Sequence, residues 1–206
     1  GLFVAVCDDE IKKAVEEFGG RAIMTDSNIQ RPSLRVAAAA ESLDLDEDDI
    51  VVVVQGDEPL VHPDMIDTAI QPLLEEDDVF VSNLTAELTE EEWKDPGEIK
   101  VVCDLNMNAM YMSRSPIPSI DHEEQRTIWF KQVCIMPFRR NTLLEYLDLS
   151  PTQLEIIESV DMNRFLEHGI SLKMIESNYE SFAVDTKEDL QFVEEAMKND
   201  RLVDKY

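Results

Sequence analysis

Asp57 is the first residue in this chain suited to chemistry. It stands in Gln55-Gly56-Asp57-Glu58-Pro59, directly after Ile50-Val51-Val52-Val53-Val54. Five consecutive β-branched residues read as a strand buried on both faces, as at the centre of a parallel sheet. Ligands of open α/β sheets bind outside the carboxyl ends of such strands. A carboxylate there, beside a glycine that permits close approach, is a candidate functional group. The plainer reading is a turn in which Asp57 accepts local backbone N–H groups, and position alone weighs the two equally. Asp185 repeats the arrangement after Phe182-Ala183-Val184, and its alternative is a helix cap with Thr186. Arg114, just before Ser115-Pro116-Ile117-Pro118, suits a bidentate pair with a carboxylate or a surface salt bridge. Arg35 meets phosphates if the start of its helix faces a cleft, and is otherwise an exposed helix residue. His62, His122 and His168 show no metal-ligand spacing. Cys7, Cys103 and Cys134 are isolated in apolar strands, which reads as core packing in a reducing compartment.

These groups need a scaffold, and the periodicity supplies one. Residues 2–6 read as a strand, 10–18 as a helix ended by Gly19-Gly20, and 22–24 as a short strand. A helix over 33–43, the Ile50 strand, a helix from Pro63 to residue 74 and a strand over 79–83 follow. This βαβαβ rhythm predicts a doubly wound sheet with right-handed crossovers. The second half predicts a hairpin, 100–104 with 108–113, then an extended arm stiffened by Pro116 and Pro118. A strand over 129–138, helices over 140–147 and 153–168, strands over 170–176 and 182–184, and a helix over 187–198 complete the reading. Nothing marks an internal boundary, so residues 1–206 are taken as one domain with a hairpin and arm lobe over 100–138.

The balance of charge bears on partners. There are 45 acidic residues against 18 basic, a net charge of −27, concentrated in runs such as 44–49, 75–78 and 87–92. Nucleic acid and anionic membrane surfaces would be repelled, so neither is expected as a partner. No apolar run is long enough to span a bilayer and no secretory signal is visible, which points to a cytoplasmic location.

Six blocks in order resemble one family. They are Val54-Gln55-Gly56-Asp57-Glu58-Pro59, Ile99-Lys100-Val101-Val102, Met112-Ser113-Arg114-Ser115-Pro116-Ile117-Pro118, Lys131-Gln132-Val133-Cys134-Ile135, Phe165-Leu166-Glu167-His168-Gly169 and Val184-Asp185-Thr186-Lys187-Glu188-Asp189-Leu190. Together they are similar to the 3-deoxy-manno-octulosonate cytidylyltransferases (CMP-Kdo synthetases), over nearly the whole chain. The resemblance implies a Rossmann-like nucleotidyltransferase sheet with a small β-hairpin dimerisation lobe. It also implies transfer from CTP to an acidic sugar, release of pyrophosphate and Mg²⁺ as cofactor. On this resemblance Asp57 and Asp185 hold the metal, and Gln55 contacts the nucleotide or the sugar acid. Arg114 and Lys131 line the sugar-acid side, Lys131 being counted with the catalytic residues, and Glu158 meets sugar hydroxyls. Arg35 and Gln132 complete the expected substrate contacts.

The chain departs from the family pattern in places. Pro32-Ser33-Leu34-Arg35 keeps the Arg of the usual Gly-Thr-acid-Arg loop and lacks the acid. Gln132 stands where His is frequent, and Met162 replaces a Gln. These changes bear on the sugar more than on the nucleotide, leaving a nonulosonate or phosphonate acceptor as an alternative. The family's N-terminal strand and phosphate-binding loop have no counterpart, since residues 1–9 resemble its second strand. A chain starting at Gly1 is therefore expected to need a basic, Gly-containing loop for activity; a non-catalytic nucleotide-binding relative is the other reading. A homodimer through Met110, Met112, Ile117 and Ile120 is expected, because a small lobe cannot bury that much apolar surface alone.

Overall fold

The computed structural model describes residues 1–119, 129–200 and 202. In chain order the elements are β1 (Val4–Val6), α1 (Asp9–Glu17), β2 (Ala22–Met24), α2 (Pro32–Glu41), β3 (Ile50–Val54), α3 (Pro63–Glu75), β4 (Ser82–Glu87), α4 (Glu90–Lys94), β5 (Lys100–Cys103) and β6 (Ala109–Ser113). There follow β7 (Phe130–Gln132), β8 (Ile135–Arg139), α5 (Arg140–Glu145), α6 (Gln153–Glu158), α7 (Met162–Glu167), β9 (Lys173–Glu176) and α8 (Lys187–Met197).

The parallel rhythm holds at two places: β1 pairs parallel with β2, and β4 with β9. The neighbour of β3 is different from the one expected, because β8 runs antiparallel to it from Ile50 opposite Arg139 to Val54 opposite Ile135. Five further strands lie in the order β6-β5-β7-β4-β9. A bridge between Val81 and Phe138 connects the approach to β4 with β8. The expected hairpin is present as β5 and β6, with its turn eased by Met107 at a φ of 59°.

Other sequence expectations change as well, beginning with the strand expected over 79–83, which runs from Ser82 to Glu87. The single strand over 129–138 is two strands, because Val133 and Cys134 break the ladder between β7 and β8. The single helix over 153–168 is α6 and α7, since Ser159 caps α6 in the left-handed region at φ 53°. Residues 182–184 form no strand. The core sits between helices and sheet. Phe165 stacks on Tyr146 and meets Phe138 at a tilt, in one cluster with Met112, Met136 and Met162, and Met65, Leu84 and Ile135 belong to the other.

Candidate active site at the carboxyl end of β3

Beyond Val54 the chain turns sharply, with the Glu58 N–H donating to the Gln55 carbonyl at 3.2 Å. This loop is tied to two distant segments. The Gln55 N–H donates to the Cys134 carbonyl at 3.2 Å, fixing the loop against the break between β7 and β8. The Val184 N–H donates to the Asp57 carbonyl at 2.9 Å, bringing the backbone beside Asp185 onto Asp57. The two aspartates are thus neighbours in space although 182–184 is not a strand. A strap, not a sheet edge, carries Asp185 there.

Neither carboxylate is used up by its local structure. Asp57 is half-buried, and its buried Oδ1 has no hydrogen-bond partner. A buried acceptor without a partner is uncommon in a folded protein and calls for a ligand or ion. A Cβ at Gly56 would meet no atom of the chain, so the loop is open on that side. Asp185 is exposed, and it is not the helix cap. Thr186 is: its Oγ1 accepts from the Asp189 N–H at 3.2 Å, and the Asp189 carboxylate accepts from the Thr186 N–H at 2.8 Å. The Asp189 carboxylate also accepts from the Asp185 N–H at 3.2 Å, which orients Asp185 and leaves its side chain available.

These residues supply two carboxylates. Among the described residues no group of three or more His, Cys, Asp or Glu is arranged to hold a metal ion by itself. A hard divalent cation such as Mg²⁺ takes one or two protein carboxylates and fills its remaining positions with water and substrate oxygens, so a pair of aspartates is enough for one to be held.

The expected sugar-acid residues form a second cluster built on β5, β6, β7 and α6. The Glu158 carboxylate accepts from Tyr111 Oη at 2.6 Å, Ser113 Oγ at 2.8 Å and the Arg114 N–H at 2.9 Å. Desolvation pushes its pKa up, but these hydrogen bonds outweigh it and hold the carboxyl below its ordinary range. The Arg114 guanidinium donates to the backbone carbonyls of Glu158, Pro96 and Gly97, so it clamps main chain in place of a carboxylate. Lys131 Nζ is nearly buried between Glu92 at 2.7 Å and Glu98 at 2.8 Å. Burial opposes its charge, but the two carboxylates prevail and raise its pKa, so it is firmly protonated and locally neutralised. Lys100, fully buried, donates to the carbonyls of Asp95, Glu98 and Arg114, a structural role. Gln132 Nε2 donates to Asn83 Oδ1 at 2.6 Å.

Arg35 lies apart from both clusters. Its guanidinium donates to Thr25 Oγ1 at 2.6 Å and to the carbonyls of Asp26 and Ile29, stapling the loop that leads into α2. His62 caps α3 through Nδ1 and stacks on Tyr179 at 4.6 Å between centroids. His122 lies outside the described residues.

Sequence reasoning missed Glu58. It is buried, and its two oxygens accept from the Cys134 N–H at 3.1 Å and Ser181 Oγ at 2.8 Å. Its only signal was its place beside Asp57, since nothing in an acidic chain distinguishes a buried glutamate from an exposed one. Missed too was the buried network in which Arg164 Nε and Nη2 grip Glu155 at 2.7 and 2.6 Å, with Arg31 and Asp161 alongside. Burial dominates at Asp161 and pushes its carboxyl above the usual range, although it accepts from the Ser33 N–H. The Cys134 thiol, half-buried near Glu58 and Asp57, is pushed far above its ordinary range, chiefly by desolvation.

The cytidylyltransferase family model matches residues 1–181. The 3-deoxy-manno-octulosonate cytidylyltransferase of Geotalea uraniireducens (strain Rf4) is 39% identical over 208 residues, covering 96% of this chain and 82% of that protein. The enzyme of the same name from Fusobacterium nucleatum is 37% identical, covering 98% and 81%. A solved structure of CMP:2-keto-3-deoxy-manno-octonic acid synthetase complexed with CTP superposes with a TM-score of 0.86 at 30% identity, covering 95% of this chain and 80% of that one. The 4-diphosphocytidyl-2C-methyl-D-erythritol synthase of Anaerococcus prevotii, at 14% identity, a TM-score of 0.60 and coverage of 93% and 77%, shares the fold. With its hairpin lobe, its loop after β3 and the strap that meets it, the chain belongs to the cytidylyltransferase family, among relatives that are 3-deoxy-manno-octulosonate cytidylyltransferases.

Proposed function

We propose that the chain transfers the cytidylyl group of CTP to a hydroxyl of an acidic sugar of the 3-deoxy-manno-octulosonate type, releasing pyrophosphate. The relatives' activity supports the substrates. The observation that carries the site is the partnerless buried Oδ1 of Asp57, held against the strap by the Val184 N–H. In this reading Asp57 and Asp185 hold Mg²⁺, which neutralises phosphate charge and orients the attacking oxygen when bound. The remaining work is positioning. Gln55 faces the nucleotide side of the same loop. Glu158, fixed as an acceptor by Tyr111, Ser113 and Arg114, turns toward sugar hydroxyls by exchanging one of those donors. Lys131 meets a substrate carboxylate only if that carboxylate displaces Glu92 or Glu98, and Arg114 only by releasing the carbonyls it clamps. Gln132 reaches substrate only by releasing Asn83, and Arg35 only by releasing Thr25 and the carbonyls it staples.

The protein acts as a cytoplasmic homodimer in this proposal, without nucleic acid or membrane as partner. Among the described residues no helix is long and apolar enough to cross a membrane. Of the expected dimer surface, Met112 is removed, because it is fully buried in the core; Met110 is 64% exposed and Ile117 half-buried, and Ile120 lies outside the described residues.

Pyrophosphate release from the full-length protein, measured with each NTP and a panel of sugar acids, tests the proposal. CTP with 3-deoxy-manno-octulosonate should turn over fastest, in a Mg²⁺-dependent way. Equal turnover with ATP, or a preference for a nonulosonate or phosphonate, would overturn it.

A further inference from the structure

Residues 177–185 have no strand ladder along their length, yet they deliver Asp185 to Asp57. A backbone hydrogen bond fastens them near each end, and side chains hold them in between. At the start, the Ser177 N–H donates to the Thr85 carbonyl at 2.7 Å, at the end of the β4–β9 pairing. Tyr179 stacks on His62, and its hydroxyl donates to Asp64 at 2.5 Å. In the middle, Ser181 Oγ donates to Glu58 Oε2. Toward the end Phe182 packs on Phe192 of α8, and the Val184 N–H reaches Asp57. Among these fastenings, Glu58 differs from the rest. Its second oxygen accepts from the Cys134 N–H, so one buried carboxylate joins the β3 loop, the β7–β8 break and the strap. It is also the residue next to Asp57.

We propose that Glu58 is a positioning residue for the metal-binding pair: by gripping Ser181 with one oxygen and Cys134 with the other, it sets the distance between Asp57 and Asp185. The inference rests on the proposed function, since it gives Glu58 its purpose through those two carboxylates. It assigns Glu58 and Ser181 no contact with substrate. Losing the Ser181 hydrogen bond leaves the Cys134 arm intact, so the fold stays while the strap loosens. A hydrogen bond to a charged group is strong enough that its loss changes a local opening equilibrium by about tenfold or more.

The experiment uses the full-length protein with Ser181→Ala, Ser181→Thr and Glu58→Gln, and Asp57→Asn and Asp185→Asn alongside. Three quantities are read: hydrogen exchange of the amides over 181–185, Mn²⁺ binding in the presence of CTP by electron paramagnetic resonance, and the KM for CTP. Ser181→Ala should speed exchange over 181–185 by about tenfold while leaving β3 and β4 protected. It should also weaken Mn²⁺ binding by about tenfold or more, by analogy with other outer-shell supports of a metal site, with little change in the KM for CTP. Ser181→Thr, which keeps the hydroxyl, should restore both, and Glu58→Gln should fall between. Faster exchange with Mn²⁺ binding altered by less than about twofold would reduce Glu58 to a structural brace and overturn the proposal. If Asp57→Asn and Asp185→Asn abolish Mn²⁺ binding while Ser181→Ala moves neither readout, the positioning role alone falls. If both Asn variants bind Mn²⁺ normally, the metal reading falls and this inference with it.

Discussion

Replacing Arg164 by Met should destabilise this protein clearly, and the structure supplies the size of the effect. Arg164 is 4% exposed and Glu155 fully buried. Two charge-assisted hydrogen bonds of 2.7 and 2.6 Å join them, and the guanidinium also lies 4.5 Å over the Tyr146 ring. Removing the arginine leaves a buried carboxylate short of its main partner, a loss usually worth about 3–5 kcal/mol. Three groups soften it here: Arg31, 3.5 Å from the same carboxylate, the Tyr146 hydroxyl at 3.3 Å and the Thr152 N–H at 3.2 Å. The lower end, about 3 kcal/mol, is therefore expected. For a chain of this size that lowers Tm by roughly 6–12 °C. Met in place of both Glu155 and Arg164 removes the stranded charge and should recover at least half of the loss, because a buried pair exchanged for apolar side chains is close to neutral. Calorimetry at pH 7 on wild type, both single variants and the double variant decides the matter. A single-variant fall under about 2 °C, or a double variant as unstable as the two singles added, would refute the reasoning.

Other expectations follow from the same geometry. Asp57→Asn and Asp185→Asn should each cut turnover by about 100-fold or more, while Tm holds or, for Asp57→Asn, rises; full activity in either would remove that residue from the metal site. Glu158→Gln should destabilise at neutral pH and progressively less in acid. A carboxyl whose folded pKa is depressed adds stability above its unfolded value of about 4.3 and loses it as pH falls through the lower folded value. A Tm difference that does not shrink below about pH 4 would contradict this. With a net charge of −27, the folded chain repels itself, so raising KCl from about 0.01 to 1 M should raise Tm by screening; a flat or falling Tm would show that the ion pairs outweigh the repulsion.

Local chemistry made much of this protein legible in its sequence. Pro63 opening α3, the Thr186–Asp189 capping box and the β5–β6 hairpin are signals carried by adjacent residues, and each element stands where expected. Asp57 was legible for the same reason, as a carboxylate following a β-branched run. What failed depended on distant partners. The antiparallel pairing of β3 with β8 cannot be read from β3, whose side chains suit either direction. Phe182-Ala183-Val184 has strand composition, but its backbone finds Asp57 in place of a ladder. Lys131 looked like a cation awaiting a substrate; only the folded chain shows Glu92 and Glu98 closing on it. Met112 read as core or interface from its hairpin spacing, and only its packing in one cluster with Met162 and Phe165 of α7 makes it core.

The bond between Ser181 and Glu58 spans 123 positions of the chain. Closing so long a loop carries an entropic cost that local helices and hairpins avoid, and contacts of that span tend to form late in folding. During synthesis the β3 loop emerges and can fold against α3 well before the strap exists. The nascent chain therefore carries Asp57 through a long stretch of synthesis before Asp185 is made, and the proposed metal-binding pair comes together only when the strap docks. An enzyme assembled in this order has little opportunity to act before it is whole.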